Sequence, residues 1–350
     1  MGIKEILTDM SHKNASDVFI VAGLPVTYRK NGMIETYGQQ DLMPADTEKL
    51  LKEIYQLANN RDIKNLTDDG DDDFSFAIPG TARFRVSAYM QRGSLAAVLR
   101  VIAFELPDYH SMNIPKEIID LGNASSGMVL VTGPAGSGKS TTLACIIDMI
   151  NKTYRKHIIT IEDPIEYLHK HNQSIVSQRE LNLDTDSFAS ALRATLRQSP
   201  DVILLGEMRD YETISIAMTA AETGHLLLST LHTIGASNTI DRIIDVFPAN
   251  QQHQIAVQLS CTLNAVVSQQ LLPTVDGGIV PAFEIMTVTP AIRNMIRDGK
   301  IFQLDGAIFS ANGNNGMLSM DNSIKALYHK GIITKETALT FATSPDRLMI

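Results

Sequence analysis

Two textures of hydrophobic patterning divide the chain. Up to about residue 105, Val18-Phe19-Ile20-Val21, Asp73 to Ile78, Phe84 to Met90 and Leu95 to Ile102 are short apolar or alternating runs. Gly, Pro and Asn separate them, as they separate strands. Between them Leu50, Leu51, Ile54 and Leu57 recur at helical spacing over Ala45 to Leu57. A small mixed α+β domain is predicted over 1–105. Leu106-Pro107 to Ile114-Pro115 reads as a linker over 106–117. From Ile118 the pattern changes to alternating helix and strand, the signature of a parallel α/β sheet. Strands are expected at Ile158–Ile161, Val202–Leu205 and Leu226–Leu228. One helix carries Leu143, Ile146, Ile147 and Ile150, a second Phe188, Leu192 and Leu196, a third Ile214 to Ala221. This core is predicted over 118–285, followed by a helical subdomain over 286–350.

The apolar stretch Met128 to Thr132 runs into Gly133-Pro134-Ala135-Gly136-Ser137-Gly138-Lys139-Ser140, which fits the nucleotide-binding phosphate loop at every fixed position. Glycines there let backbone N–H groups turn toward phosphates, and the helix that follows adds its N-terminal partial charge. Lys139 is expected to neutralise β/γ-phosphate oxygens and the Ser140 hydroxyl to ligate Mg²⁺. Gly133 to Ser140 and Thr141 form the candidate cradle.

Two further strands end in acids. Ile158 to Ile161 leads into Glu162-Asp163-Pro164-Ile165-Glu166 and Val202 to Leu205 into Gly206-Glu207-Met208-Arg209-Asp210. Ligands of open α/β sheets gather at the carboxyl ends of the strands, so these carboxylates are expected to face the phosphates. A carboxylate there either orients the attacking water or orders Mg²⁺ through its water shell. The plainer alternative for Glu162 to Glu166 is an acid-rich helix start with its proline. Glu207 closes a Walker B arrangement, and Asp210 reads as the N-cap of the next helix.

His225 and His232 bracket the strand between them. Both a rim position and a γ-phosphate or interface role are open. Arg83 and Arg85 share one strand face, with Phe84, Val86, Ala88 and Met90 on the other. Arg92 and Arg100 follow. They form either a solvated cationic face or arginines presented to a neighbouring subunit's nucleotide. The run Asp68 to Asp73 lacks EF-hand spacing and reads as a solvated turn. Ala291 to Asp298 puts Ile292, Met295 and Ile296 on one helical face and Arg293, Asn294 and Arg297 on the other.

Composition narrows the classes. The chain is 44% hydrophobic and 20% charged with a net charge of −9, which disfavours a nucleic-acid coat. No apolar run nears the ~20 residues of a bilayer span, and the start carries no signal-peptide core. Two cysteines, Cys145 and Cys261, exclude a disulfide framework or a four-cysteine zinc site. A cytoplasmic protein is expected.

Together these strings resemble the secretion/type IV pilus ATPase superfamily, and within it the PilT family of pilus retraction ATPases. Gly133 to Ser140, Thr160 to Glu166, Gln178-Arg179-Glu180, Gly206 to Asp210 and Thr219 to His225 with His232-Thr233 are its ordered markers. Ala291 to Asp298 looks like the family's AIRNLIRE retraction motif, with Met and Asp for Leu and Glu. Val18-Phe19 departs from the histidine the family often carries after Ser-Asp.

The resemblance implies a homohexamer, each protomer joining an N-terminal PAS-like domain to a RecA-like P-loop ATPase domain with a helical C-terminal subdomain. ATP and Mg²⁺ would sit between the two domains and the linker would serve as a hinge. It implies nucleotide contacts for some of Arg83, Arg85, Arg92 and Arg100, and functional roles for His225 and His232. Glu162 is expected to orient the water, and Glu207, with Ser140 and Asp163, to serve Mg²⁺; the reverse assignment of the two glutamates stays open. The implied partners are an inner-membrane pilus platform protein and other pilus motor subunits. No direct nucleic-acid contact is implied, and the localisation is cytoplasmic and peripheral at the inner membrane. No guanine-reading string occurs, since Asn151-Lys152-Thr153-Tyr154 fails at its last position. The rival functions are a pilus-assembly or type II secretion ATPase, a nucleic-acid translocase, and a non-hydrolysing ring subunit.

Overall fold

The computed structural model describes residues 2–30, 32–102, 106–311 and 314–348. Its backbone separates into two compact units, Met1–Glu105 with Glu166–Leu168, and Leu106–Ile165 with His169–Ile350.

In the first unit α1 (Ile3–His12), β1 (Asp17–Ile20), β2 (Val26–Lys30), β3 (Met33–Tyr37), α2 (Pro44–Leu57), α3 (Lys64–Asp69), β4 (Asp71–Ile78), β5 (Ala82–Gln91) and β6 (Ser94–Ile102) follow in order. The strands make one antiparallel sheet ordered β3-β2-β1-β6-β5-β4. Ala82, Phe84, Val86 and Ala88 of β5 pack into one core with Leu7 and Met10 of α1 and Leu51 and Ile54 of α2. Alternation along the strand is what a half-covered antiparallel sheet requires.

Met90, expected on that buried face, is 43% exposed. It lies past Asp71–Tyr89, the last β4–β5 pair, and next to the Arg92-Gly93 turn, whose φ values of 48° and 76° suit a tight hairpin. The acidic run also departs from a solvated turn. Asp68 and Asp69 close α3, Gly70 (φ 87°) ends that helix, and Asp72 is buried in β4. Asp72 accepts bonds from Arg61 Nε (2.9 Å) and Nη2 (2.7 Å) and from the Tyr55 hydroxyl (2.9 Å). A paired inward carboxylate follows the strand's alternation, while its neighbours face water.

The second unit contains α4 (Lys116–Ile119), β7 (Gly127–Thr132), α5 (Lys139–Thr153), β8 (His157–Glu162), β9 (Ile175–Glu180), α6 (Phe188–Thr195), β10 (Val202–Leu205), α7 (Tyr211–Glu222), β11 (Leu226–Leu231), α8 (Ala236–Asp245), α9 (Ala249–Thr262), β12 (Leu263–Pro273) and β13 (Ile279–Thr287). The helices α10 (Pro290–Arg297), α11 (Leu304–Ala311), α12 (Met320–His329), α13 (Lys335–Phe341) and α14 (Pro345–Leu348) complete it. Its sheet is ordered β13-β12-β7-β11-β10-β8-β9, parallel except for the antiparallel edge strand β13.

Its inner strands β7 and β10 are almost wholly apolar because both faces are covered. Met128, Leu130, Ile203, Leu205, Leu227 and Leu231 enter the core built with α6 to α10. Their neighbours Val129, Val131, Val202, Leu204, Leu226 and Leu228 enter the core built with α4 and α5. Residues 106–117 lie within this unit; Ile114 is buried in the core that α5 helps to build, and the Pro107 carbonyl accepts a bond from Cys145 Sγ (3.4 Å). The pattern did not foretell α1, α3, β2, β3, β9 or the β12–β13 hairpin. Among the described residues no helix is long and apolar enough to cross a membrane.

Candidate nucleotide site

Every strand that precedes a motif loop is parallel, so their carboxyl ends share one edge of the sheet. Thr132 pairs with Leu231 there, and Ile161 with Leu205. Gly133, Glu162, Glu207 and His232 therefore leave the sheet on the same side.

The phosphate loop needs glycine for stated reasons at two positions. Gly133 (φ 141°) carries no Cβ because one would stand 2.2 Å from the Gln269 carbonyl oxygen, and at Gly138 (φ 85°) it would stand 2.9 Å from Gln269 Nε2. Lys139 is 8% exposed at the first turn of α5, and its Nζ donates to the carbonyls of Gly133 (3.0 Å) and Pro134 (2.9 Å). Burial pushes the Lys139 ammonium below its usual pKa, and the charge of Glu207 pulls it partly back. Among the described residues the buried Ser137 hydroxyl has no hydrogen-bond partner and α5 starts with no side-chain cap. Unclaimed N–H and O–H donors around a glycine loop fit a phosphate chain. The exposed Ser140 hydroxyl and the carboxylates of Glu162, Asp163 and Glu207 are hard oxygen donors of the kind Mg²⁺ takes.

The two glutamates are held differently. Glu162 Oε1 accepts from Thr160 Oγ1 (2.6 Å) and Gln178 Nε2 (3.2 Å). Gln178 also accepts from the His169 backbone N–H (2.8 Å). Glu207 Oε2 accepts from Arg209 Nε (2.6 Å) and meets His232 Nε2 at 3.1 Å. Asp210 caps α7, accepting from the Thr213 backbone N–H at 2.8 Å. Asp163-Pro164 opens no helix: bends and coil follow β8, so the acid-rich helix start is overturned.

His225 does not join this edge in its own chain. Its carbonyl accepts the Gly127 N–H (3.0 Å) at the amino end of β7, and its Nδ1 meets the Ala220 carbonyl at 2.9 Å. The seven residues from His225 to His232 span about 23 Å of extended chain at ~3.3 Å per residue. The two histidines bracket β11, as their spacing indicates, one at each end of the strand.

The arginines divide too. Arg85 pairs across the strands with Arg100, Arg100 with Asp17, and Asp17 with Arg29, one row on the sheet's polar face. Arg100 Nε bonds Asp17 Oδ1 (3.3 Å), and Arg83 Nη2 bonds Ser75 Oγ (2.8 Å). Arg92 is separate, at the hairpin tip seven residues from Arg85 along β5 and its turn. In α10, Ile292 and Ile296 are 1% and 0% exposed in the core with Leu259 and Leu304, while Arg293, Asn294 and Arg297 face out.

Residues 1–297 match the family model of type II/IV secretion system proteins. The type IV pilus retraction ATPase PilT of Pseudomonas aeruginosa is 44% identical over 99% of both chains. The chain belongs to the PilT family of type IV pilus retraction ATPases. Another family relative, the type IV pilus ATPase PilU of the same organism, is 40% identical over 100% of this chain and 91% of its own. A crystal structure of the pilus retraction motor PilT with bound ADP superposes with a TM-score of 0.90 at 45% identity, covering 100% of this chain and 99% of that one.

Motif reading missed Gln269 and Thr142, which pack under the phosphate loop, and Arg209, which pairs with Glu207. A turn signal, Asp276-Gly277-Gly278 between two apolar runs, marks the β12–β13 hairpin. Nothing local marks which of its residues meets the loop.

Proposed function

We propose that the chain is a Mg²⁺-dependent ATPase that works as a homohexamer and powers retraction of a type IV pilus. The carrying observation is the convergence of Lys139, Glu162, Glu207 and His232 on one sheet edge, in a chain similar over its full length to a retraction ATPase. Lys139 exchanges the loop carbonyls for phosphate oxygens. The N–H groups at the start of α5 and the Ser137 hydroxyl complete the cradle of Gly133 to Thr141. Bound Mg²⁺ would neutralise phosphate charge, held by Ser140 and, through water, by Glu207 and Asp163.

Glu162, whose carboxylate is aimed by Thr160 and Gln178, orients the attacking water and takes its proton. His232 and Arg209 hold Glu207. Some of Arg83, Arg85, Arg92 and Arg100 supply cationic charge to nucleotide held by a neighbouring subunit, and the linker 106–117 is the hinge. The domains proposed are 1–105, the linker 106–117, the ATPase core 118–285 and the helical subdomain 286–350. The motor acts in the cytoplasm against an inner-membrane platform protein.

A strain lacking the gene distinguishes the directions of pilus movement. Hyperpiliated cells without twitching are expected; bald cells would mean assembly instead. The near-equal identity to PilU supports a second reading, a further pilus ATPase beside a main retraction motor. In that case loss of the gene leaves twitching in place.

A further inference from the structure

Two adjacent residues of β12 face opposite ways, and each touches a different loop of the nucleotide edge. Gln269 is 3% exposed. Its Oε1 accepts a buried bond from Thr142 Oγ1 of α5 (2.7 Å). Its carbonyl oxygen occupies the space a Gly133 Cβ would need, and its Nε2 the space beside Gly138. One residue thus touches both ends of the phosphate loop and the helix behind it. The middle glycine, Gly136, faces open space.

On the other side, Ser268 pairs across the hairpin with Glu284. Ser268 Oγ accepts the Gly235 N–H (3.0 Å) and Glu284 Oε1 the Ala236 N–H (2.8 Å), so both hold the connection from His232 into α8. The backbone of Met320, at the start of α12, favours the charged form of Glu284. It is buried, and the charged groups felt at its carboxylate are the acids Asp305 and Asp321. A buried carboxylate that holds a helix start amid acids is a costly choice for structure alone. The neighbouring Phe283 N–H donates to Ser323 Oγ of α12 (3.1 Å), so the same strand ties this loop to the C-terminal helices.

We propose that Gln269 and Glu284 are positioning residues for this ATPase: Gln269 shapes the phosphate loop, and Glu284 sets the β11–α8 loop whose His232 holds Glu207. The inference rests on the reading of this edge as a nucleotide site. The β12–β13 hairpin then braces both loops from one element, and through Phe283 reaches α12.

The test is Mg-ADP affinity by calorimetry and steady-state ATP turnover, on full-length protein with melting temperatures recorded. Q269L is expected to weaken Mg-ADP binding on the order of 10-fold, and T142V, which removes the same bond from the other side, about 3-fold. The double variant should bind no more weakly than Q269L alone. E284Q should lower kcat on the order of 10-fold with Mg-ADP affinity within about 2-fold of the parent. Wild-type affinity and turnover in folded Q269L and E284Q would overturn the proposal, as would additive effects in the double variant or a uniform loss of both parameters. A parent protein that binds no Mg-ADP would instead overturn the nucleotide reading itself.

Discussion

The two edges of the parallel sheet are built from the same strands and do different work. At the carboxyl edge the strands release Gly133, Glu162, Glu207 and His232; Glu207 meets His232 there, Thr160 and Gln178 hold Glu162, and among the described residues the Ser137 hydroxyl of the phosphate loop has no hydrogen-bond partner. At the amino edge His225 is bound to backbone at the end of α7 and the start of β7. One strand, β11, carries a histidine at each end, and only position along it separates their surroundings. Residue type and motif membership are therefore weaker guides than which end of a parallel strand a side chain leaves.

The largest effect should come from the acids of the carboxyl edge. Glu162→Gln or Glu207→Gln should each lower ATP turnover on the order of 10²–10³-fold with Mg-ADP affinity kept within a few-fold. The variant with the greater loss in kcat and an unchanged Mg²⁺ requirement marks the water-orienting residue. The comparison breaks if neither variant changes turnover.

A position away from both edges should report on packing instead. Ile296→Ala deletes a fully buried side chain of α10 and should cost about 3 kcal/mol in denaturant unfolding. The exposed pair Arg293→Ala, Arg297→Ala should leave stability within about 0.5 kcal/mol while reducing pilus retraction. Loss of motility in an Ile292 or Ile296 variant would reflect the core, so the arginine face is the informative one.

Acid should act next, through the loop that ends β8. Burial holds the His169 imidazole down to about 4 from the usual 6.5, so the folded chain keeps it neutral where the unfolded chain takes a proton. Its contribution is fully present above pH 6.5 and is lost as pH falls toward 4, a change on the order of 3 kcal/mol in the pH dependence of unfolding. His169→Gln should flatten that slope.

The smallest effect separates the two ends of β11 directly. His232→Ala should lower turnover on the order of 10-fold, and His225→Ala should leave Mg-ADP affinity within about 2-fold. Equal losses of affinity in both would erase the distinction between the edges.

Much of this was legible in the residues. Val202 to Leu205 could only be a strand buried on both faces, and an acid two residues beyond it had to emerge at an edge. The histidine spacing also held the answer, since seven residues along a strand reach from one edge to the other. What stayed hidden depends on register. Gln269 meets the phosphate loop because β12 pairs with β7 through an irregularity between Leu263 and Ala265, which no local pattern announces. Asp72 in a run of acids looked solvated because its partners Arg61 and Tyr55 lie 11 and 17 residues away. Met90 failed because alternation cannot say where the covering core stops.

The most direct test of the central claim is phosphate release from ATP by the purified chain, with and without Mg²⁺, beside Lys139→Ala. The account predicts steady turnover only with Mg²⁺ and a loss on the order of 10³-fold in the variant. Equal rates in parent and variant, or no turnover by folded, assembled parent protein with Mg²⁺ present, would contradict it.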